Sequence, residues 1–296
     1  MKIVQSFWSK PSKKKSNFKS SDRHAGGWLD KKSNFMSWAL SCLQFKKYYD
    51  CVELVTDKNG YEILINRLQL PYTDVKIVLD DLKDYHHDLW ALGKLYTYGI
   101  QDKPFIHADA DIYVWEAFDN RINNSKLVAQ NIERGFSYYG RIFDNVTKTF
   151  NFVPDILLDS QKSNGEIIAV NAGILGGTDL DFFKNYSKTA IEFVERNRDS
   201  WDKVNIGLFN TVFEQFLFHA LAEQRKIGVE FLLNDVNHTF DGLAELLGAP
   251  KKTKFVHTVG AYKRQKQIGD LVAFRMQMDH PEYYYRIIRL LRSYQI

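Results

Sequence analysis

Asp109 and Asp111 stand two residues apart in the stretch Phe105–Val114, which reads as a buried strand with acids at its end. Side chains alternate faces along a strand. Ile106, Ala108, Ala110 and Ile112 then share one face, and His107, Asp109 and Asp111 the other. Two carboxylates closing an apolar run repel each other and are costly to desolvate. A divalent cation held by oxygen ligands neutralises both. The competing reading is a polar strand end running into a turn, where Asp is common.

Three other segments carry residue types suited to chemistry. In His257-Thr-Val-Gly260-Ala-Tyr-Lys263, a neutral imidazole at a strand end can complete a carboxylate metal site, and Mn²⁺ accepts such mixed ligands. Gly260 lets backbone approach a phosphate, and Lys263 offers it a point positive charge. A structural histidine is the alternative. In Asn171-Ala172-Gly173-Ile-Leu-Gly176-Gly177, three glycines follow an apolar strand and permit close approach to a ligand. The spacing matches neither a P-loop nor a dinucleotide fingerprint, and a tight strand-to-helix turn explains it equally well. Glu214-Gln215 falls at the margin of a helical face formed by Phe209, Phe213 and Phe216, where a boundary carboxylate is the simpler reading.

These residues need a scaffold. Strands are expected at Lys2–Trp8, Val52–Val55, Val75–Leu79 and Phe105–Val114, with helices at Trp28–Tyr48, Tyr61–Leu68 and Leu89–Tyr98 between them. A Lys- and Ser-rich loop joins the first strand to the first helix, running to about Arg23. Such alternation predicts a mostly parallel sheet flanked by helices. Ligands of open sheets bind beyond the carboxyl ends of the strands. Ser6, Trp8, Thr56, Asp57, Asp109 and Asp111 all occupy such ends. Further on, strands are expected at 126–131 and 166–170 with an irregular aromatic stretch between them. Helices follow at Asp179–Arg196, capped by Thr178, and at Phe209–Glu223, then strands at Val229–Leu233 and Phe255–His257. The domain reading is one α/β domain over 1–270, with a nucleotide-binding half at 1–114 and an acceptor half at 115–270, and a C-terminal extension at 271–296.

A 45% hydrophobic content supports a sizeable core, and no apolar run approaches the length of a membrane span. The N-terminal apolar run is too short for a signal peptide, and two cysteines make no disulfide framework. A reduced, cytoplasmic setting is therefore expected. A net charge of +4 permits an anionic ligand without requiring nucleic acid, and no nucleic-acid partner is expected.

Asp109-x-Asp111, Asn171-Ala172-Gly173, Glu214-Gln215 and His257-x-x-Gly260-x-x-Lys263 occur in the order found in nucleotide-sugar glycosyltransferases of the GT-A type. The chain most resembles the retaining group that includes glycogenin and bacterial lipooligosaccharide galactosyltransferases. It departs from that group after Lys263, where Arg264-Gln265 replaces Pro-Trp, and at Glu214-Gln215, where many members have Asp-Gln. The resemblance implies a GT-A-like, Rossmann-like domain and Mn²⁺ or Mg²⁺ on Asp109, Asp111 and His257. It implies Lys263 and Gly260 at the donor diphosphate, and Ser6, Trp8, Thr56 and Asp57 around the base and ribose. Lys94 and Asn171–Gly173 would meet the transferred sugar or its phosphate, and Glu214 or Gln215 would sit near the anomeric carbon. The acceptor is open: a glycan, a lipid-linked saccharide, a protein or peptide, or a small molecule. The rival readings are a metal-dependent nucleotidyltransferase and a non-catalytic nucleotide-sugar-binding module.

Pro281 starts a basic amphipathic helix to Tyr294, with Tyr284, Ile287, Ile288 and Leu291 on one face and Arg286, Arg289 and Arg292 off it. Contact of 281–296 with the inner face of an anionic membrane, and packing on its own domain or on a partner chain, are the expectations for it.

Overall fold

The computed structural model describes residues 1–17, 22–234, 236, 240 and 242–296; part of the Lys/Ser-rich loop expected before Arg23 lies outside these. Among the described residues the strands are β1 (Lys2–Phe7), β2 (Val52–Thr56), β3 (Asp74–Ile77), β4 (Phe105–Ala108), β5 (Ile112–Val114), β6 (Leu127–Ala129), β7 (Ile132–Glu133), β8 (Ala169–Val170), β9 (Ile174–Gly177), β10 (Val229–Phe231) and β11 (Phe255–His257). The fold is mixed α/β, with seven of the strands in a mostly parallel central sheet flanked by helices. The chain divides into two compact units.

One unit comprises Lys2–His87, Ala108–Phe118 and Thr239–Ile296. Here β1, β2 and β3 run parallel and side by side, with Phe7 opposite Thr56 and Thr56 opposite Ile77. A separate antiparallel pair, β5 and β11, sets His257 opposite Ile112 and so next to Asp111. Helix Lys31–Tyr48 begins at Asp30, whose carboxylate accepts from Ser33 N–H at 2.7 Å. Its residues from Ser33 to Phe45 are buried all round. Helices Lys266–Asp279 and Pro281–Arg292 cover it. Gly269 permits the first of these to approach, since a Cβ there would meet Ser33 Oγ at 2.5 Å. Ile287 and Leu290 of the last helix are buried in the same apolar core as Leu40, Leu43 and Met276, with Tyr284, Ile288 and Leu291 packed against it. The amphipathic face of the C-terminal helix thus lies against its own unit, and no helix of the described residues is long and apolar enough to cross a membrane.

The other unit comprises Asp88–His107 and Asp119–His238, with Met1. Its strands lie in the order β10, β6, β9, β4. β10 is parallel to β6, and β9 is antiparallel to it. Aromatic rings fill this core: Phe182, Phe183 and Tyr186 on helix Leu180–Glu195 meet Phe218, and Tyr98 stacks on Tyr186.

Several expectations change. Phe105–Val114 is two strands rather than one: Ile112 N–H donates to Asp109 carbonyl at 3.1 Å, and the chain turns between β4 and β5. Ser9–Lys13, expected to be loop, is a short helix. The stretch taken as irregular contains helices Ser137–Thr149 and Asp155–Asn164; the first buries Tyr139, Ile142, Phe143 and Val146, a three- and four-residue repeat that its exposed polar residues disguise. Asp179, not Thr178, caps the helix at 180, accepting from Phe182 N–H at 3.0 Å. The late glycines serve strand packing. A Cβ on Gly176 would stand 2.2 Å from Phe105 carbonyl oxygen, and one on Gly177 2.0 Å from that of Lys126.

This close approach makes Gly176→Ala destabilising by about 3 kcal/mol, or abolishes folding, because strand backbone cannot yield as a side chain can. Gly140→Ala, in a helix with no atom within 4 Å of the added carbon, should instead stabilise by about 0.5–1 kcal/mol. Urea unfolding of the two variants checks both signs.

Candidate functional site

The turn between β4 and β5 is braced from three sides. Ser37 Oγ donates to Ala110 carbonyl at 2.7 Å and lies 2.8 Å from the Tyr113 hydroxyl. Thr258 N–H and Oγ both donate to Asp111 carbonyl, at 3.0 and 3.2 Å. Strand β11 pairs with β5 and brings His257 alongside. Asp109, Asp111 and His257 each present a ligand atom within 4.8 Å of the others. Asp111 and His257 are buried, and Asp109 is half-buried.

Lys263 Nζ stands 2.6 Å from Asp111 Oδ2, and His257 Nε2 stands 3.6 Å from the same oxygen. Burial alone would raise the Asp111 carboxyl, but the charges of Lys263 and His257 outweigh it and hold it well below the usual carboxylate range. Asp111 is therefore anionic at neutral pH, the form a cation needs. Two carboxylates and an imidazole are a suitable donor set for a borderline-hard divalent ion such as Mn²⁺. Gly260 is left-handed (φ 56°), exposed, and has open space where a Cβ would be.

The earlier strand ends behave differently. Asp57 is consumed by structure: Oδ2 accepts from Ser9 N–H and Oγ, both at 2.8 Å, and Oδ1 accepts from Gly60 N–H at 2.6 Å. Thr56 Oγ donates to Phe7 carbonyl at 2.7 Å. Trp8 is buried, and Ser6 is half-buried. Asp57 thus caps the helix that starts at Lys58, and Thr56 and Asp57 tie β1 to β2.

In the other unit, Lys94 is buried: its Nζ donates to Ala172 carbonyl at 2.9 Å and pairs with Glu214 Oε1 at 2.6 Å. Glu214 is fully buried, not at a boundary. The helix widens into a π-type turn over Thr211–Phe216, which departs from the regular 3.6-residue period used to place it. Tyr186 hydroxyl donates to Glu214 carbonyl at 2.6 Å. Asn171 Oδ1 accepts from Gly173 N–H at 3.0 Å, and its Nδ2 donates to Glu133 Oε1 at 2.8 Å. Tyr139 hydroxyl meets both Glu133 and the Gln215 amide at 2.5 Å. Glu133, Tyr139, Ser37 and Thr258 were not singled out in the sequence; their partners lie 38 or more residues away in most cases, beyond any local spacing. His107 is buried, and desolvation with the nearby Lys94 charge keeps its imidazole well below the usual range, hence neutral.

The fold is of mixed α/β class, and one unit carries a carboxylate–imidazole cluster that could hold a metal ion. A family model for DUF6734, described as a family of unknown function, matches residues 1–290, and the chain belongs to that family. A comparison with curated proteins finds no match. Among solved structures, the chain is similar to the galactosyltransferase LgtC in complex with donor and acceptor sugar analogues, at 14% identity and a TM-score of 0.38, covering 72% of this chain and 70% of that one.

A cation binding Asp111 meets the charge of the Lys263 ammonium, 2.6 Å from Asp111 Oδ2. Lys263→Met should therefore tighten Mn²⁺ binding by about tenfold when no other ligand is present, as expected for removing one positive charge at contact distance. Calorimetric titration of Mn²⁺ into both proteins checks the direction; weaker binding by the variant would show that Lys263 supports the cluster instead of competing for it.

Proposed function

We propose that this protein is a metal-dependent glycosyltransferase that moves a sugar from a nucleotide-sugar, a UDP-sugar, to an acceptor with retention at the anomeric carbon. The observation that carries the reading is the convergence of Asp109, Asp111 and His257 within 4.8 Å of one another, with Lys263 2.6 Å from Asp111. Asp109, Asp111 and His257 would hold a divalent ion, and Lys263 would neutralise oxygens of a diphosphate bound beside it. The bound ion supplies Lewis-acid stabilisation of the departing nucleoside diphosphate. The exposed left-handed Gly260 leaves its backbone open to a phosphate.

In the reaction, the bond from the anomeric carbon to the diphosphate oxygen breaks, and a bond to an acceptor hydroxyl oxygen forms, its proton passing to the leaving diphosphate. Asn171–Gly173 are assigned to the transferred sugar, and Glu214 or Gln215 to the positive charge that develops at the anomeric carbon. A carboxylate stabilises such charge better than an amide dipole, which favours Glu214. Its pairing with Lys94 moderates that charge and fixes its place.

Titration of UDP into the protein with Mn²⁺ should release heat, and Asp111→Ala should abolish it. A screen of UDP- and GDP-sugars for Mn²⁺-dependent donor hydrolysis requires no acceptor and should give free UDP with at least one donor. Release of pyrophosphate from UTP offered with a sugar 1-phosphate would mark a nucleotidyltransferase, and binding without turnover a non-catalytic module. Retention is read by NMR: a β-product from an α-donor would overturn it.

A further inference from the structure

We infer that Glu133 is a positioning residue, one buried carboxylate that sets the side chain of Asn171 and, through the Asn171 loop, supports the Lys94–Glu214 pair. The inference rests on the glycosyltransferase reading for what those residues act upon, but its structural content stands apart from it.

Glu133 is 1% exposed. A carboxylate taken that far from water is several kcal/mol unfavourable unless donors surround it. Three do. Oε1 accepts from Asn171 Nδ2 at 2.8 Å, and Oε2 accepts from the hydroxyls of Tyr139 at 2.5 Å and Tyr138 at 3.2 Å. The backbone delivers these partners. β7 pairs with β8, Glu133 opposite Ala169, and Asn171 N–H continues the ladder by donating to Asn131 carbonyl at 2.9 Å.

The carboxylate leaves the Asn171 amide one orientation. Its NH₂ must face Glu133, which only accepts, and its oxygen must face Gly173 N–H, 3.0 Å away. The loop 171–173 is thereby closed, and the Ala172 carbonyl within it receives Lys94, the partner of Glu214. On the other side, Tyr139 has a single hydroxyl proton. Burial and the Glu133 charge raise the Tyr139 phenol well above its usual range, so the proton stays, directed to the carboxylate. The phenol oxygen also lies 2.5 Å from Gln215 Oε1, a second acceptor for the same proton. Both oxygens of the buried Glu133 carboxylate are engaged by donors within the protein, so its role is support and not contact with substrate.

The test is a series of variants read by amide hydrogen exchange. Glu133→Leu removes the acceptor of the Asn171 amide, and Asn171→Asp sets one carboxylate against another; each alone should speed exchange at Gly173 by about tenfold or more, relative to helix Leu180–Glu195. The combined Glu133→Gln/Asn171→Asp protein puts an amide donor opposite the new carboxylate and should return exchange at Gly173 to within about threefold of wild type. Wild-type exchange in Glu133→Leu, or a double variant no better protected than Asn171→Asp alone, overturns the inference. In the activity arm, Mn²⁺-dependent hydrolysis of UDP-glucose and UDP-galactose, Glu133→Leu should lower kcat by about tenfold with donor KM little changed, since misplacement by a fraction of an ångström acts on the reacting geometry. A raised KM at unchanged kcat overturns the positioning role. If the wild type hydrolyses neither these two nor any other donor of the screen, the proposed function is overturned, and the exchange series still decides the role of Glu133.

Discussion

A carboxylate removed from water must find donors or cations within the protein, and this chain buries several. Glu53 is closed by Lys2 at 2.9 Å and Lys76 at 3.3 Å on the β1–β2–β3 sheet. Asp57 is closed by Ser9 and Gly60, and Glu133 by Asn171 and two tyrosines. Asp111 has Lys263 and His257, and Glu214 has Lys94. Much of the local structure is the consequence. The Asp57 contacts start a helix and join two strands; the Glu133 contacts close the 171–173 loop.

The kind of partner separates structural acids from those open to ligand chemistry. Asp57 and Glu133 are satisfied by backbone amides, hydroxyls and a short amide side chain, none of which moves without unfolding its element. Asp111 is satisfied by an ammonium on a long flexible stem, 12% exposed, beside an exposed left-handed glycine. An ammonium of that kind can leave for another anion when a cation takes its place, at little conformational cost. Lys94 also has a flexible stem, but Ala172 carbonyl holds it from a second direction, so Glu214 is fixed where Asp111 is exchangeable. Fixed charge suits the stabilisation of a developing cation; exchangeable charge suits ion binding.

The main strands and helices up to Tyr98 were legible because each is continuous in sequence, rich in apolar residues and bounded by turn-forming residues. The carboxylates, His257 and Lys263 were legible because their types and spacing carry chemistry whatever the fold. What was not legible depends on departures from regular period or on distant partners. The widened turn at Thr211–Phe216 moved Glu214 from a boundary into the core. Helix Ser137–Thr149 was hidden by its tyrosines and charges, and with it Tyr139. Gly176 and Gly177 suggested room for a ligand, whereas their space is filled by neighbouring strand backbone. A missing side chain announces close approach without saying what approaches.

The Asp109–Asp111 pair sharpens this point. In a continuous strand, residues two apart do share a face, but their Cα atoms stand about 6.5–7 Å apart along it, and both side chains project straight out. The hydrogen bond from Ile112 N–H to Asp109 carbonyl breaks that geometry and draws the two carboxylates and His257 to a common point. The break is itself sequence-encoded, by two Asp residues with strong turn preference placed around a small Ala110. The reading of these acids as a turn and their reading as a metal site are therefore not rivals. The turn is what gathers the ligands, and the pairing of β5 with β11 supplies the imidazole that a continuous β4 would have left without a neighbour.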